Sequence, residues 1–260
     1  MSNADFSTDK DWELWGQLNP YYGVLADDCF KKENLSKDSL KLFFESGENH
    51  VKHVLEICKR KLDPQFSPDR IVDFGCGTGR LVIPFAKIGK EVVGVDVSPS
   101  MIEEAKKNCK AEGLENVNFL ISDDALTKLK GEFDLIHSTI VMQHIPVERG
   151  EKIFFKLFQH IKKNGFGAIQ LTYARSKYSN TFGEKPKERV QNIVKHQVKL
   201  FLSKLGLIEM PKSVGPGMQM NSYPLNRVLF FLQSQGVKEL YTEFTDHGGE
   251  LGVMLYFKKV

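Results

Sequence analysis

The sequence predicts an α/β domain whose mostly parallel sheet is covered by helices on both faces. Three observations carry the prediction. Between residues 69 and 174, short apolar runs alternate with helical patterns, the layout of parallel strands joined by crossover helices. The first two runs, around Ile71-Val72 and Val92-Val93, are separated by a turn with three glycines and a helix. At 260 residues the chain suits one large core with an embellishment.

The elements follow in order. Residues 1–66 hold aromatic-rich helical patterns and form a helical cap; Val51, Val54, Leu55 and Cys58 fall on one helical face. Asp63-Pro64-Gln65-Phe66-Ser67-Pro68 ends that helix and feeds the first strand. The core, 67–174, carries strands at about 70–74, 91–96, 117–121, 133–138 and 165–172, the last after the turn Lys163-Asn164-Gly165. A long stretch, 175–222, reads as an inserted lid on the sheet's carboxyl rim, with a helix expected at about 187–204. The same stretch also suits a dimer contact, so monomer and homodimer both stay open. Residues 223–260 supply a helix at about 224–234 and two strands near 237–246 and 250–258.

Bulk properties narrow the function classes. A formal net charge of +3 over mixed signs gives no strong field, which disfavours nucleic-acid and membrane partners. Cys29, Cys58, Cys76 and Cys109 lie far apart with no C-x-x-C pair, as expected of reduced thiols in a cytoplasmic protein. No apolar run approaches the ~20 residues that span a bilayer, and the N-terminus lacks a signal-peptide h-region. His50 and His53 are three apart on a helix, but no acid or cysteine nearby completes a metal shell, so no metal is expected.

The glycine turn is the most informative feature. Gly75, Gly77 and Gly79 let the backbone turn sharply and approach a ligand, and Asp96 ends the second strand, where an acid can take both ribose hydroxyls of a nucleoside. The spacing is G-x-G-x-G rather than the dinucleotide pattern G-x-G-x-x-G. Asp73, two residues before the first glycine, is awkward for a pyrophosphate and suits a cofactor with a cationic sulfonium and an amino acid tail.

Here the chain resembles the class I S-adenosylmethionine-dependent methyltransferases, whose first motif is a strand ending in Asp/Glu-x-Gly-x-Gly-x-Gly. The likeness covers roughly residues 69–174 and continues through Val117–Ile121 with Ser122-Asp123-Asp124-Ala125, then Phe133–Ser138 with Thr139-Ile140-Val141-Met142-Gln143-His144-Ile145-Pro146. The wording of that last segment is similar to the small-molecule branch. The resemblance implies a Rossmann-like, seven-stranded sheet closed by an antiparallel hairpin. It implies S-adenosylmethionine as cofactor, held by the loop Asp73, Gly75, Cys76, Gly77, Gly79 and Arg80 and by Asp96 on the ribose. Val97 and Met101 would flank adenine, Asp123 would meet its amine beside Asp124 and Ala125, and Ser138 would complete the site. No Asn/Asp/Ser-Pro-Pro-Tyr/Phe follows strand four, which disfavours the branch that methylates amides or exocyclic amines.

An oxygen or nitrogen acceptor must shed a proton, so one general base within reach is useful. His144 is the candidate, because some small-molecule members place a histidine there beside a cap tyrosine, for which Tyr21 and Tyr22 stand available. A packing role for His144 stands level with the catalytic one. Met218, Asn221, Tyr223 and the turn residue His247 are candidates for the acceptor pocket. The expected activity is methyl transfer from S-adenosylmethionine to an oxygen or nitrogen of a small molecule. The rivals are a nucleotide-dependent oxidoreductase, a nucleic-acid methyltransferase and a non-catalytic cofactor-binding module.

Overall fold

Seven strands form one sheet in the order β3-β2-β1-β4-β5-β7-β6. The computed structural model describes residues 7–184 and 216–260. The strands are β1 Arg70–Phe74, β2 Glu91–Asp96, β3 Val117–Ile121, β4 Phe133–Ser138, β5 Ile161–Arg175, β6 Leu240–His247 and β7 Glu250–Lys258. The first five run parallel, and β7 enters antiparallel between β5 and β6. The helices are α1 Ser7–Leu18, α2 Pro20–Val24, α3 Lys37–Lys61, α4 Val82–Ala86, α5 Pro99–Ala111, α6 Val147–His160 and α7 Leu225–Ser234.

Strand alternation assigns the two faces. Val72, Phe74, Val93, Val95 and Ile136 point to one side, where Ile153, Phe154, Leu157 and Phe158 of α6 and Val228 and Leu232 of α7 cover them. Ile71, Val92 and Leu135 point to the other, under Val51, Val54, Ile57 and Cys58 of α3 and Val82, Ile83 and Phe85 of α4. The expected α3 stripe is thus the core face, with Leu55 at its margin.

Local chemistry sets the helix ends. Ser36 and Ser39 form a reciprocal capping box at the start of α3, and Lys59, Arg60 and Lys61 meet its carboxyl-end dipole. Ser98 caps α5 by accepting from the Met101 N–H, with Pro99 in the first turn. By contrast α6 has Pro146 at its N-cap and no side-chain cap. A missing cap costs about 1 kcal/mol, whereas each of its four large buried side chains contributes roughly 1.5–3 kcal/mol. Packing therefore decides α6.

Two boundaries differ from expectation. The turn at Lys163-Asn164-Gly165 is a bulge within β5, whose partners jump from Ile161 to Phe166 while β4 advances only from Phe133 to Leu135; Asn164 takes a left-handed φ of 62° there. The sixth strand starts at Leu240 rather than near 237, because Gly236, at φ 87°, ends α7 and a short link follows. The helix expected at 187–204 lies outside the described residues.

Candidate active site

A pocket opens at the carboxyl ends of β1, β2 and β4, the rim where open α/β sheets bind ligands. Gly75 and Gly77 form one wall with positive φ values of 76° and 50°. A Cβ on Gly75 would strike Val141, and one on Gly77 would strike Val24, so only bare backbone fits between loop and neighbours. Asp96 stands at the end of β2, where its two oxygens accept from the N–H groups of Gly77 (2.8 Å) and Ser98 (2.9 Å). Burial pushes its carboxyl up to about 6 from 3.8, while those backbone donors pull the other way. Val97 and Met101 continue this wall, and Ser122 and Asp124 follow from the end of β3.

The floor holds a buried polar chain. Asp73, 2 % exposed, lines the pocket and pairs through Oδ1 with Nδ1 of His137 at 2.9 Å. His137 is its cross-strand neighbour on β4 and is fully buried. Its Nε2 lies 2.9 Å from Nε2 of His50 on α3. Burial and the neighbouring His137 drive the His50 imidazole down to about 2, so that ring is neutral. Arg80 also lines the pocket, with NH1 donating to Ser46 Oγ at 3.2 Å; burial lowers its guanidinium to about 10.

The roof comes from the cap. Thr8, Asp9 and Trp12 of α1 and Gly23 and Val24 of α2 close over the opening. Arg149 of α6 holds α1 down: its Nε donates to both oxygens of Asp124 at 2.7 Å, and NH1 and NH2 donate to Asp9 at 2.7 and 2.8 Å. Glu13 accepts from Ser98 Oγ (2.7 Å) and from Ser100 N and Oγ (3.1 and 2.6 Å), placing a carboxylate at the amino end of α5. Thr8 Oγ1 donates to the carbonyl of His144 at 3.0 Å.

His144 lies at the far end of the same pocket, 6 % exposed. Its Nδ1–H donates to the Gln219 carbonyl at 2.8 Å, which leaves the lone pair on Nε2, where the Gln143 amide N–H donates at 3.3 Å. Burial lowers its basicity, with the Gln219 bond acting in the opposite direction, so the neutral form prevails at pH 7. Trp12 packs edge-on against the ring at 4.8 Å. Gln143 is itself oriented by Thr172, whose hydroxyl donates to Oε1 at 2.8 Å.

The pocket gathers Asp73, Gly75, Cys76, Gly77, Arg80, Asp96, Val97, Met101, Asp124 and His144. It does not gather the other expected residues. Tyr21 turns away into the cap core, donating from its hydroxyl to Glu104 (2.9 Å) and Asn108 (3.1 Å) and packing on Phe43. Tyr22 lies against Trp15 under the Lys31 ammonium. The reason is the phase of α2: Gly23 and Val24 take the pocket side, and the cap aromatic beside His144 is Trp12. Asp123 caps its own turn through Thr127 N (2.9 Å) and Oγ1 (2.5 Å), leaving Ser122 and Asp124 on the wall. Ala125 is exposed outside the pocket, and Gly79 faces Ala105 of α5. Ser138 alternates away from His137 and is buried, its Oγ without a partner among the described residues.

The acceptor-side candidates separate likewise. Tyr223 is core, its hydroxyl donating to the Ile145 carbonyl at 2.8 Å, and Asn221 donates from backbone and side chain to the Gln143 carbonyl. Met218 and His247 do not line the pocket. Segment 216–223 instead supplies the Gln219 carbonyl that sets the His144 tautomer. Sequence reasoning missed Thr8, Asp9, Trp12 and Arg149; the only signal for them was an aromatic-rich amphipathic segment ahead of the core. Among the described residues no cluster of histidine, cysteine and carboxylate side chains is arranged to hold a metal, and no helix is long and apolar enough to cross a membrane.

This strand order, with one antiparallel strand beside β5 and a pocket between the glycine loop and the β2 acid, defines the Rossmann-like methyltransferase fold. Residues 71–165, from β1 into β5, match the family model described as a methyltransferase domain, as the resemblance to the class I S-adenosylmethionine-dependent methyltransferases implies. The solved structure of magnesium protoporphyrin IX methyltransferase from Synechocystis PCC 6803 with bound SAH superposes with a TM-score of 0.58 at 19 % identity, covering 99 % of this chain and 98 % of that one. The ubiquinone biosynthesis O-methyltransferase of Schizosaccharomyces pombe is 33 % identical over 102 residues, 38 % of this chain and 36 % of that protein. A probable ribosomal RNA small subunit methyltransferase A of Methanosphaera stadtmanae is 29 % identical over 146 residues, 55 % of this chain and 51 % of its own length. The chain thus spans about half or less of these curated relatives.

Proposed function

We propose that the chain transfers a methyl group from S-adenosylmethionine to an oxygen or nitrogen of a small molecule. The observation that carries this is one roofed pocket with the Asp96 carboxylate at one end and a neutral imidazole, His144, at the other. The residues suit the cofactor: a Cβ would fill the cradle at Gly75 and Gly77, and Asp96 retains lone pairs beyond its two backbone donors for ribose hydroxyls. Val97 and Met101 offer apolar flanks for adenine, and Asp73 offers a carboxylate to an ammonium group. When bound, the cofactor supplies a methyl group on a sulfonium with a good leaving group.

The protein's own work is then positioning, exclusion of water and removal of one proton. Roofing by α1 and the loop wall fixes the approach, and such positioning is worth roughly 7–11 kcal/mol. His144 Nε2, unprotonated because Nδ1–H is committed to Gln219, accepts the acceptor's proton as the acceptor displaces the 3.3 Å Gln143 amide contact. The named activity of the fission-yeast relative supports an oxygen acceptor, and closure of the pocket by the cap supports a small one. A second reading, methyl transfer to RNA, draws on the ribosomal RNA methyltransferases among the relatives. Calorimetric titration with S-adenosylmethionine, S-adenosylhomocysteine and NADH tests the cofactor. Binding of the two adenosyl compounds alone supports the proposal, and binding of NADH alone overturns it. A methyl-transfer screen of small phenols, amines and acids against ribosomal RNA then separates the two acceptor classes.

A further inference from the structure

We propose that His137, backed by His50, is a positioning residue that holds the Asp73 carboxylate ready for the ammonium of the cofactor's amino acid end; the inference rests on the cofactor reading above. The carboxylate assigns the first proton. Carboxylate oxygens only accept, so Nδ1 of His137 donates to Oδ1 of Asp73 at 2.9 Å. Nε2 of His137 lies 2.9 Å from Nε2 of His50, so one ring donates to the other and His50 holds the far side of the His137 ring. Oδ2 of Asp73 has no hydrogen-bond partner among the described residues, while Asp73 lines the pocket. One oxygen is anchored and the other is left for a cationic ligand group.

Around the two histidines the neighbours are basic or apolar, and the nearest second carboxylate is Asp96 across the glycine loop. Phe85 packs on His137, and the titratable groups bearing on His50 besides His137 are Arg80, His53 and His247. On the protein side Asp73 faces His137 and the Arg80 guanidinium, and a ligand cation beside it would find its counter-charge at the Asp73 oxygen that His137 leaves open. The arrangement follows from strand register: Asp73 and His137 are paired on adjacent parallel strands and point to the α3 face, where His50 arrives from the helix. A leucine at either histidine would fill that volume and leave a buried acceptor without its donor.

The test compares two ligands that share the nucleoside and differ in the amino acid end. S-adenosylhomocysteine carries the ammonium; 5′-methylthioadenosine does not. Calorimetry on the full chain should show that His137→Leu loses about ten- to a hundredfold in affinity for S-adenosylhomocysteine. Its affinity for 5′-methylthioadenosine should hold within about twofold. His137→Asn, whose amide N–H can replace Nδ1–H, should recover to within about threefold of the parent. If His137→Leu does not fold, His50→Leu serves instead, with a loss of about three- to tenfold confined to the amino acid ligand. Equal loss for both ligands, or no loss in a folded variant, overturns the inference. A parent that binds neither ligand overturns the cofactor reading itself, and the two failures are thereby distinct.

Discussion

The two ends of the pocket are built in different ways. The end proposed for the nucleoside comes mainly from one contiguous stretch, Asp73 to Met101, in which strand ends, a glycine turn and a helix cap place the wall, with Ser122 and Asp124 added from the end of β3. The far end is assembled from three distant segments: α1 with Trp12, His144 in the short 3-10 turn Met142–His144 after β4, and Gln219 from the return toward α7. Local geometry fixes the first end, whereas tertiary docking fixes the second. Changes at the first should therefore act on cofactor affinity, and changes at the second on turnover.

The largest expected effect is at the far end. His144→Ala should lower kcat by about 10²–10⁴ with little change in S-adenosylhomocysteine affinity, once an acceptor is in hand. Unchanged kcat would make the ring a packing group and erase the functional contrast between the two ends. Next comes Asp96→Ala, which removes the shared acceptor of two backbone N–H groups and of the ribose; affinity should fall by about 10²–10³ in the same titration. Wild-type affinity in that variant would take the nucleoside out of this end altogether.

A pH series sharpens the comparison further. On the proposed assignment Asp96 meets the ribose hydroxyls as the carboxylate, and burial raises its carboxyl to about 6. It is then about nine-tenths ionised at pH 7 and one-tenth at pH 5, so affinity should decline about tenfold as pH falls across that interval and level off above 7. Asp96→Asn should show a flat profile; a parent profile flat from pH 5 to 8 would contradict the assignment. The smallest effect belongs to Tyr21→Phe. Losing the bonds to Glu104 and Asn108 should cost about 1 kcal/mol in denaturant unfolding and leave turnover within about twofold. A large drop in kcat would return the tyrosine to the acceptor end.

The sequence exposed what is local. The alternation of apolar runs, the three glycines and the acid at the end of β2 each have a short-range cause, and the seven-stranded sheet with its antiparallel hairpin followed from the resemblance built on them. It misled wherever a side chain's direction depends on the phase of a short element. Tyr21 and Val24 lie within one five-residue helix, and only docking on α5 decides which of them meets the pocket. Asp123 and Asp124 are adjacent, yet Thr127 takes the first and Arg149, from a helix beyond the next strand, takes the second. Trp12 was illegible for the same reason, since nothing within α1 announces a partner more than a hundred residues away.

Arg149 bridges Asp9 on the roof and Asp124 on the wall, so one guanidinium ties the cap to the core at the edge of the pocket. Residence time then becomes an electrolyte-dependent quantity. The Debye length shrinks from about 10 Å at 0.1 M to about 3 Å at 1 M, which weakens a half-shielded ion triad more than it weakens the packed glycine loop beneath. Product should leave faster in concentrated salt while its equilibrium contacts with the loop persist. The clasp thereby separates how long a ligand stays from how well it fits.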